Sequence, residues 1–136
     1  MLSGKPAARC GLDIEFRHQS YDWNATEPLA NLVALLSSNG AIVAASSEGG
    51  LFEYGSDDAI VANLRALAAG QTGVKFVASS VTSNSDLRKR MIAETKFKLH
   101  PRGIEGFAPL AEQADYAIVE SKANMMSDHV LLRLRG

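Results

Sequence analysis

The sequence predicts an α/β fold: a mostly parallel sheet that ends in an antiparallel hairpin, with helices on both faces. Three observations lead there. Strand-like runs alternate with segments of helical spacing from residue 12 onward, the pattern of parallel strands joined by crossovers. Residues 41–45 are a continuous small apolar run, as in strands covered on both sides. Residues 116–122 and 129–134 are two further strand-like runs with turn material between them, which reads as a hairpin and adds at least one antiparallel strand. The chain of 136 residues fits one domain, assigned to residues 12–136, after a small, polar, flexible lead-in over residues 1–11.

The elements follow in order. Ile14 and Phe16 alternate with Asp13, Glu15 and Arg17, the period of a half-buried strand running toward Tyr21, Asp22 and Trp23. Thr26 offers a helix N-cap, with Glu27 and Pro28 in the first turn. Leu29, Leu32, Val33, Leu35 and Leu36 continue at helical spacing, and Asn39 and Gly40 supply the stop. After the apolar run come Ser46, Ser47, Glu48, Gly49 and Gly50, and residues 51–55 read as a loop holding Phe52 and Tyr54. Ser56 or Asp57 caps the next helix, whose inner face is Ile60, Leu64 and Leu67.

A strand is expected over residues 74–78, then a helix capped by Ser85 with Leu87, Met91 and Ile92 turned inward. Residues 96–99 fit either a short edge strand or an extended loop, ended by Pro101. Ile104, Phe107, Leu110, Ala111 and Ala114 predict a last helix, with Pro109 as a breaker unless the helix begins near it.

Composition bounds the function. Apolar residues are 46% and charged residues 21%, values that exclude a disordered or collagen-like chain. Fourteen Lys and Arg stand against 15 Asp and Glu, without the strongly basic balance of a dedicated nucleic-acid binder. Cys10 is the single cysteine, so no internal disulfide forms, in keeping with a reducing compartment. No apolar run approaches the roughly 20 residues of a membrane span, and the start has no secretory pattern. The expected location is the cytoplasm. His18, His100 and His129 are far apart and lack metal-ligand spacing, so no metal is expected.

Charge is nevertheless uneven. Residues 40–64 contain Glu48, Glu53, Asp57 and Asp58 without Lys or Arg, whereas residues 86–102 contain six basic residues against Asp86 and Glu94. The basic segment can attract an anionic ligand or a neighbouring subunit, or simply form a solvated face.

The segment 46–55 is the most informative candidate site, because ligands of open α/β sheets bind beyond the carboxyl ends of parallel strands. Glu48 can act as a general base or hold a polar group, and Tyr54 can stack or donate its hydroxyl. Ser46, Ser47, Gly49, Gly50 and Glu53 complete the ligand-binding candidates. The same residues also fit a tight exit from a strand with a solvated acid.

The order of elements resembles the C-terminal part of a class I S-adenosylmethionine-dependent methyltransferase. The helix and hairpin over residues 103–135 carry the resemblance, together with Tyr21, Asp22, Trp23 and the run Ser-Ser-Glu-Gly-Gly-Leu-Phe-Glu-Tyr-Gly-Ser-Asp at 46–57. It implies a partial Rossmann-like sheet whose last strand is antiparallel, with S-adenosylmethionine as the cofactor. It also implies Asp22 and Trp23 near the adenine, the acid accepting from the amino group and the indole packing on the ring. The alternative for this pair is a helix-preceding acid and a packed indole.

The departure from the family is sharp. No D/E-x-G-x-G-x-G run occurs, and Gly49 and Gly50 stand too late and at the wrong spacing to replace it. Such glycines let a backbone approach the cofactor closely. The expected reading is therefore a methyltransferase-like domain without independent methyl transfer. The alternative is a non-catalytic module that self-associates or binds a partner, with a small-molecule ligand still open. A sheet lacking its first strands exposes an edge, which predicts a homodimer that joins two half-sheets.

Overall fold

A computed structural model describes residues 11–69 and 73–136. The expected lead-in, apart from Gly11, and Cys10 with it, lies outside the described residues.

Helix α1 spans Glu27–Ser38 and has Pro28 in its first turn, where the missing N–H costs nothing. It ends at Asn39 and at Gly40, whose φ of 72° is the left-handed conformation of a helix stop. Strand β1 follows at Ala44–Ser47, then the single-turn helix α2 at Leu51–Tyr54 and helix α3 at Asp57–Leu67. Ser56 caps α3 by accepting from the Ala59 amide at 3.1 Å. Strand β2 is Phe76–Thr82, α4 is Asp86–Ala93, α5 is Gly103–Gln113, and the hairpin is β3 at Tyr116–Lys122 with β4 at Ser127–Leu134. Ser85 caps α4 through the Arg88 amide. Pro109 lies inside α5 without ending it. The carbonyl it fails to serve belongs to Glu105, and both residues are exposed, so water can take its place.

The four strands form one sheet in the order β1-β2-β4-β3. β1 and β2 are parallel, and β4 runs antiparallel to both of its neighbours. The sheet is thus mixed, with one parallel pair, and the expected parallel majority is corrected. The two segments that would have enlarged it stay out of it. Residues 12–17 are not in a strand, and Leu12, Ile14 and Phe16 are all at least half exposed. Residues 96–99 form an extended loop. Alternation alone does not make a strand: a neighbour must supply the ladder.

The core lies on one face. Val77 and Val81 of β2 and Val130 and Leu132 of β4 are buried, while Phe76, Ala78, His129 and Arg133 between them are exposed. Helix α5 packs on β2, β3 and β4 and against α3, and α2 packs on β2. Ile60 and Leu64 of α3 and Phe107 of α5 are fully buried beside Phe52, whose ring lies 5.0 Å from that of Phe107. Each such side chain contributes about 1.5–3 kcal/mol by leaving water.

The expectation of helices on both faces is corrected. The connections on either side of β2 place α2, α3 and α5 on the same side of the sheet, and α4 buries no residue at all. Leu87 and Met91, expected inward, are exposed. Likewise the run at 41–45 is not covered on both faces: Ile42, Ala44 and Ser46 are exposed.

Tyr116, wholly buried, anchors the hairpin to the start of β2. Its hydroxyl donates to the Val74 carbonyl at 2.6 Å. Burial raises its pKa from 10.0 to about 12. A raised folded-state value means that stability is complete below pH 10 and falls as pH climbs toward about 12. The expected loss is about 1.4 kcal/mol per pH unit across that window. Tyr116→Phe removes this part of the slope, and at neutral pH it costs about 1–2 kcal/mol because the buried Val74 carbonyl loses its donor. Urea denaturation at a series of pH values checks both. Any slope left in the variant belongs in part to Tyr21, whose value is also raised, first by burial and then by the Asp22 charge.

Candidate functional site

β1 leaves the sheet at Ser47, and the chain turns at Gly49, where φ is 65°. This turn is tied to the sheet. Glu53 accepts from the Thr82 hydroxyl at 3.1 Å, and a Cβ on Gly49 would come within 2.6 Å of the second Glu53 carboxylate oxygen. The Glu53 carbonyl accepts from the His100 amide. Residues 51–54, expected as a loop, wind into α2 because Phe52 can then reach the core. Ser79 strengthens the exit by donating to the Ser47 carbonyl at 3.0 Å.

Past this turn the segment is held by one guanidinium. Arg102 donates to the Phe52 carbonyl at 3.2 Å, to the Gly55 carbonyl at 2.7 Å and to the Asp57 carboxylate at 2.9 Å. Its side chain is 9% exposed. The basic segment read as a ligand attractant or a solvated face therefore holds one cation that is committed inside the fold.

On the bare face of the sheet lies an open trough of about 580 Å³. Ser46, Ser47 and Glu48 line its β1 side. Opposite them stand Ser80 on β2, His129 on β4, which the sequence weighed only as a metal ligand and set aside, and Glu120 and Lys122 on β3. The register explains their meeting. Ser80 pairs with His129, His129 pairs with Lys122, and Leu131 pairs with Ala78 on one side and Glu120 on the other. These positions share one face of the sheet, with directly opposed side chains about 5 Å apart at Cβ. Ala78 and Leu131 form an apolar floor between the polar rows.

The trough offers an apolar floor with polar side chains along its margins. No hydrogen bond joins Ser80 to His129, and no described ion pair involves Glu48, Glu120 or Lys122. The hydroxyl is thus not activated by the imidazole in this arrangement. Among the described residues no group of three or more His, Cys, Asp or Glu could hold a metal ion. No helix among them is long and apolar enough to cross a membrane.

The remaining candidates sit elsewhere. Tyr54 is exposed and lies outside the trough. Asp22 accepts from the Asn24 amide at 2.9 Å, closing a local turn. Trp23 is half-buried, and its ring stands 4.0 Å from where a Cβ on Gly50 would be, so the structure does bring Trp23 to the loop 46–55. Both residues belong to a segment fastened to α3 by Asn63. That buried amide accepts from the Tyr21 hydroxyl at 2.6 Å and donates to the Trp23 carbonyl at 2.8 Å.

No protein-family model and no curated protein matches the chain. Among solved structures it is similar to an O-methyltransferase. That enzyme is from neocarzinostatin biosynthesis and was solved with S-adenosyl-L-homocysteine and 1,4-dihydroxy-2-naphthoic acid. The identity is 22% and the TM-score 0.48, over 66% of this chain. The chain spans 28% of that enzyme's length.

Proposed function

We propose that this chain is a methyltransferase-like α/β domain that does not transfer methyl groups by itself. The observation that carries the reading is the place of β4. It enters antiparallel between β2 and β3, beside the parallel β1–β2 pair. A terminal hairpin with its last strand antiparallel is what the sequence resemblance implies, and the partial Rossmann-like assignment rests on it.

One feature argues against an independent donor site. The 136 residues contain no glycine-rich run of the kind that lets a backbone approach the cofactor. Without that run the chain lacks the close backbone approach that a cradle for S-adenosylmethionine needs. One oxygen of the Asp22 carboxylate, which the resemblance places near an adenine amino group, accepts from the Asn24 amide, and the other has no partner among the described residues.

Calorimetric titration with S-adenosyl-L-homocysteine tests the reading on protein shown to be folded by circular dichroism. The expected result is no saturable heat at millimolar ligand. Saturation near one site per chain would overturn it and return Asp22 and Glu48 to the centre of the mechanism.

A second reading, that the module works by association, is favoured by one specific observation: among the described residues, one whole face of the sheet has no helix on it.

A further inference from the structure

We infer that a second copy of this chain covers the bare face of the sheet, related by a two-fold axis parallel to the strands and running between β2 and β4. The inference goes beyond the methyltransferase-like reading and does not depend on it.

The argument comes from the register. The open-face positions form rows across the strands. One row is Ala44, Phe76, Arg133 and Ala117, and the next is Ser46, Ala78, Leu131 and Glu120. The third is Ser80, His129 and Lys122, with Glu48 lining the same trough just beyond the end of β1. A two-fold axis along the strands lays β1 over the partner's β3 and β2 over its β4. Every row then meets itself reversed.

The reversed rows are complementary. Glu48 meets the partner subunit's Lys122, and Lys122 meets the partner subunit's Glu48. Ala78 meets the partner subunit's Leu131, a small residue against a large one. Phe76, 43% exposed, meets the partner subunit's Arg133, a guanidinium over an aromatic face. Ser80 meets the partner subunit's His129, and Ser46 meets the partner subunit's Glu120, each as donor and acceptor.

Within one chain Glu48 and Lys122 sit on opposite margins of the sheet. Three strand spacings separate them, about 14 Å, which is too far for an ion pair. The two-fold arrangement brings each opposite the other on the facing copy. Aligned packing of two such faces is the ordinary geometry of a sandwich.

The face is small for a dimer. Three strands of seven or eight residues and the four-residue β1 give a footprint of roughly 400 Å² per copy, or about 800 Å² in all, the size of a weak, transient association. The dimer is therefore expected to be weak and to dissociate on dilution.

Sedimentation equilibrium of the full chain over a wide range of concentrations tests this. The expected result is a monomer–dimer equilibrium in the wild type. Glu48→Lys or Lys122→Glu alone should weaken it at least ~10-fold, because each reversal creates two like-charge contacts. The double variant Glu48→Lys, Lys122→Glu should return it close to the wild-type value. Both changes are at exposed positions, and circular dichroism checks that the fold is kept. A monomer at every concentration would overturn the proposal. So would a dimer indifferent to the single reversals, which would point to pairing through the β1 edge, or single losses that the double variant fails to repair.

Discussion

Replacing Arg102 with methionine is expected to cost about 3–5 kcal/mol, among the largest single-residue effects in the molecule. The side chain is nearly buried and serves three partners on one stretch of chain: the Phe52 and Gly55 carbonyls and the Asp57 carboxylate. Methionine keeps much of the volume and the apolar stem but supplies no donor. The Gly55 carbonyl then loses its 2.7 Å partner. The bond to Asp57 matters less by itself, because that carboxylate is 67% exposed and water can replace the guanidinium. Most of the cost comes from the two carbonyls and from the packing they fix. The exit from α2 frays first, and Phe52 loses its hold beside Phe107. Arg102→Lys should recover only part of the loss, since one ammonium cannot reproduce the planar fork that meets three acceptors. Urea midpoints of the three proteins check the order: wild type, then lysine, then methionine.

What the sequence disclosed follows from how local each signal is. Ser56 and Ser85 were readable as caps because the bond each accepts lies three residues ahead. The stop at Gly40 needed only a residue that tolerates positive φ. The two hairpin strands were legible from their own composition. The β2 strand was found but set early: it begins at Phe76 and runs on through Ser79 and Ser80 to Thr82. The serines made that half look like a loop, yet Ser79 is buried with its hydroxyl on the Ser47 carbonyl. The failures are all non-local. Residues 12–17 have the period of a strand and no strand to pair with. Leu87 and Met91 have helical spacing and nothing to pack on.

The site divides in the same way. Ser46, Ser47 and Glu48 were legible because they lie where a strand-like run ends, and they do line the trough. Its other wall was not legible. His129, Lys122 and Glu120 reach it only through the register of the β3–β4 hairpin, which carries a register shift between Ile118 and Glu120. A one-residue slip sends every side chain to the opposite face. A turn with no tight signature gives no means of counting that register from sequence. Asn63 was missed for a different reason. It stands in the middle of a helix that otherwise read as apolar-faced, and its partners are 40 and 42 residues away.

Asn63 is also the position at which one substitution should detach a whole segment. Its amide satisfies three groups at once: it accepts from the Tyr21 hydroxyl, and it donates to the Trp23 carbonyl and to the Ala59 carbonyl of its own helix. Asn63 itself is 2% exposed. Asn63→Ala leaves a small cavity and removes the bonds to Tyr21 and Trp23, at an expected cost of about 2–4 kcal/mol. Asn63→Leu fills the space and should not restore the fold's stability, because the lost groups are polar and are already brought together around that point. Asn63→Asp discriminates further. A carboxylate can still accept from Tyr21 but cannot donate to the Trp23 carbonyl, so it should keep the first bond and lose the second. Trp23 is the single tryptophan, so the fluorescence of the chain reports this segment directly. In the alanine and leucine variants the emission should move to longer wavelength below the main unfolding transition, as the indole leaves Gly50 for water. Emission that stays put until the whole domain unfolds would mean that Trp23 is held by its packing on the loop alone.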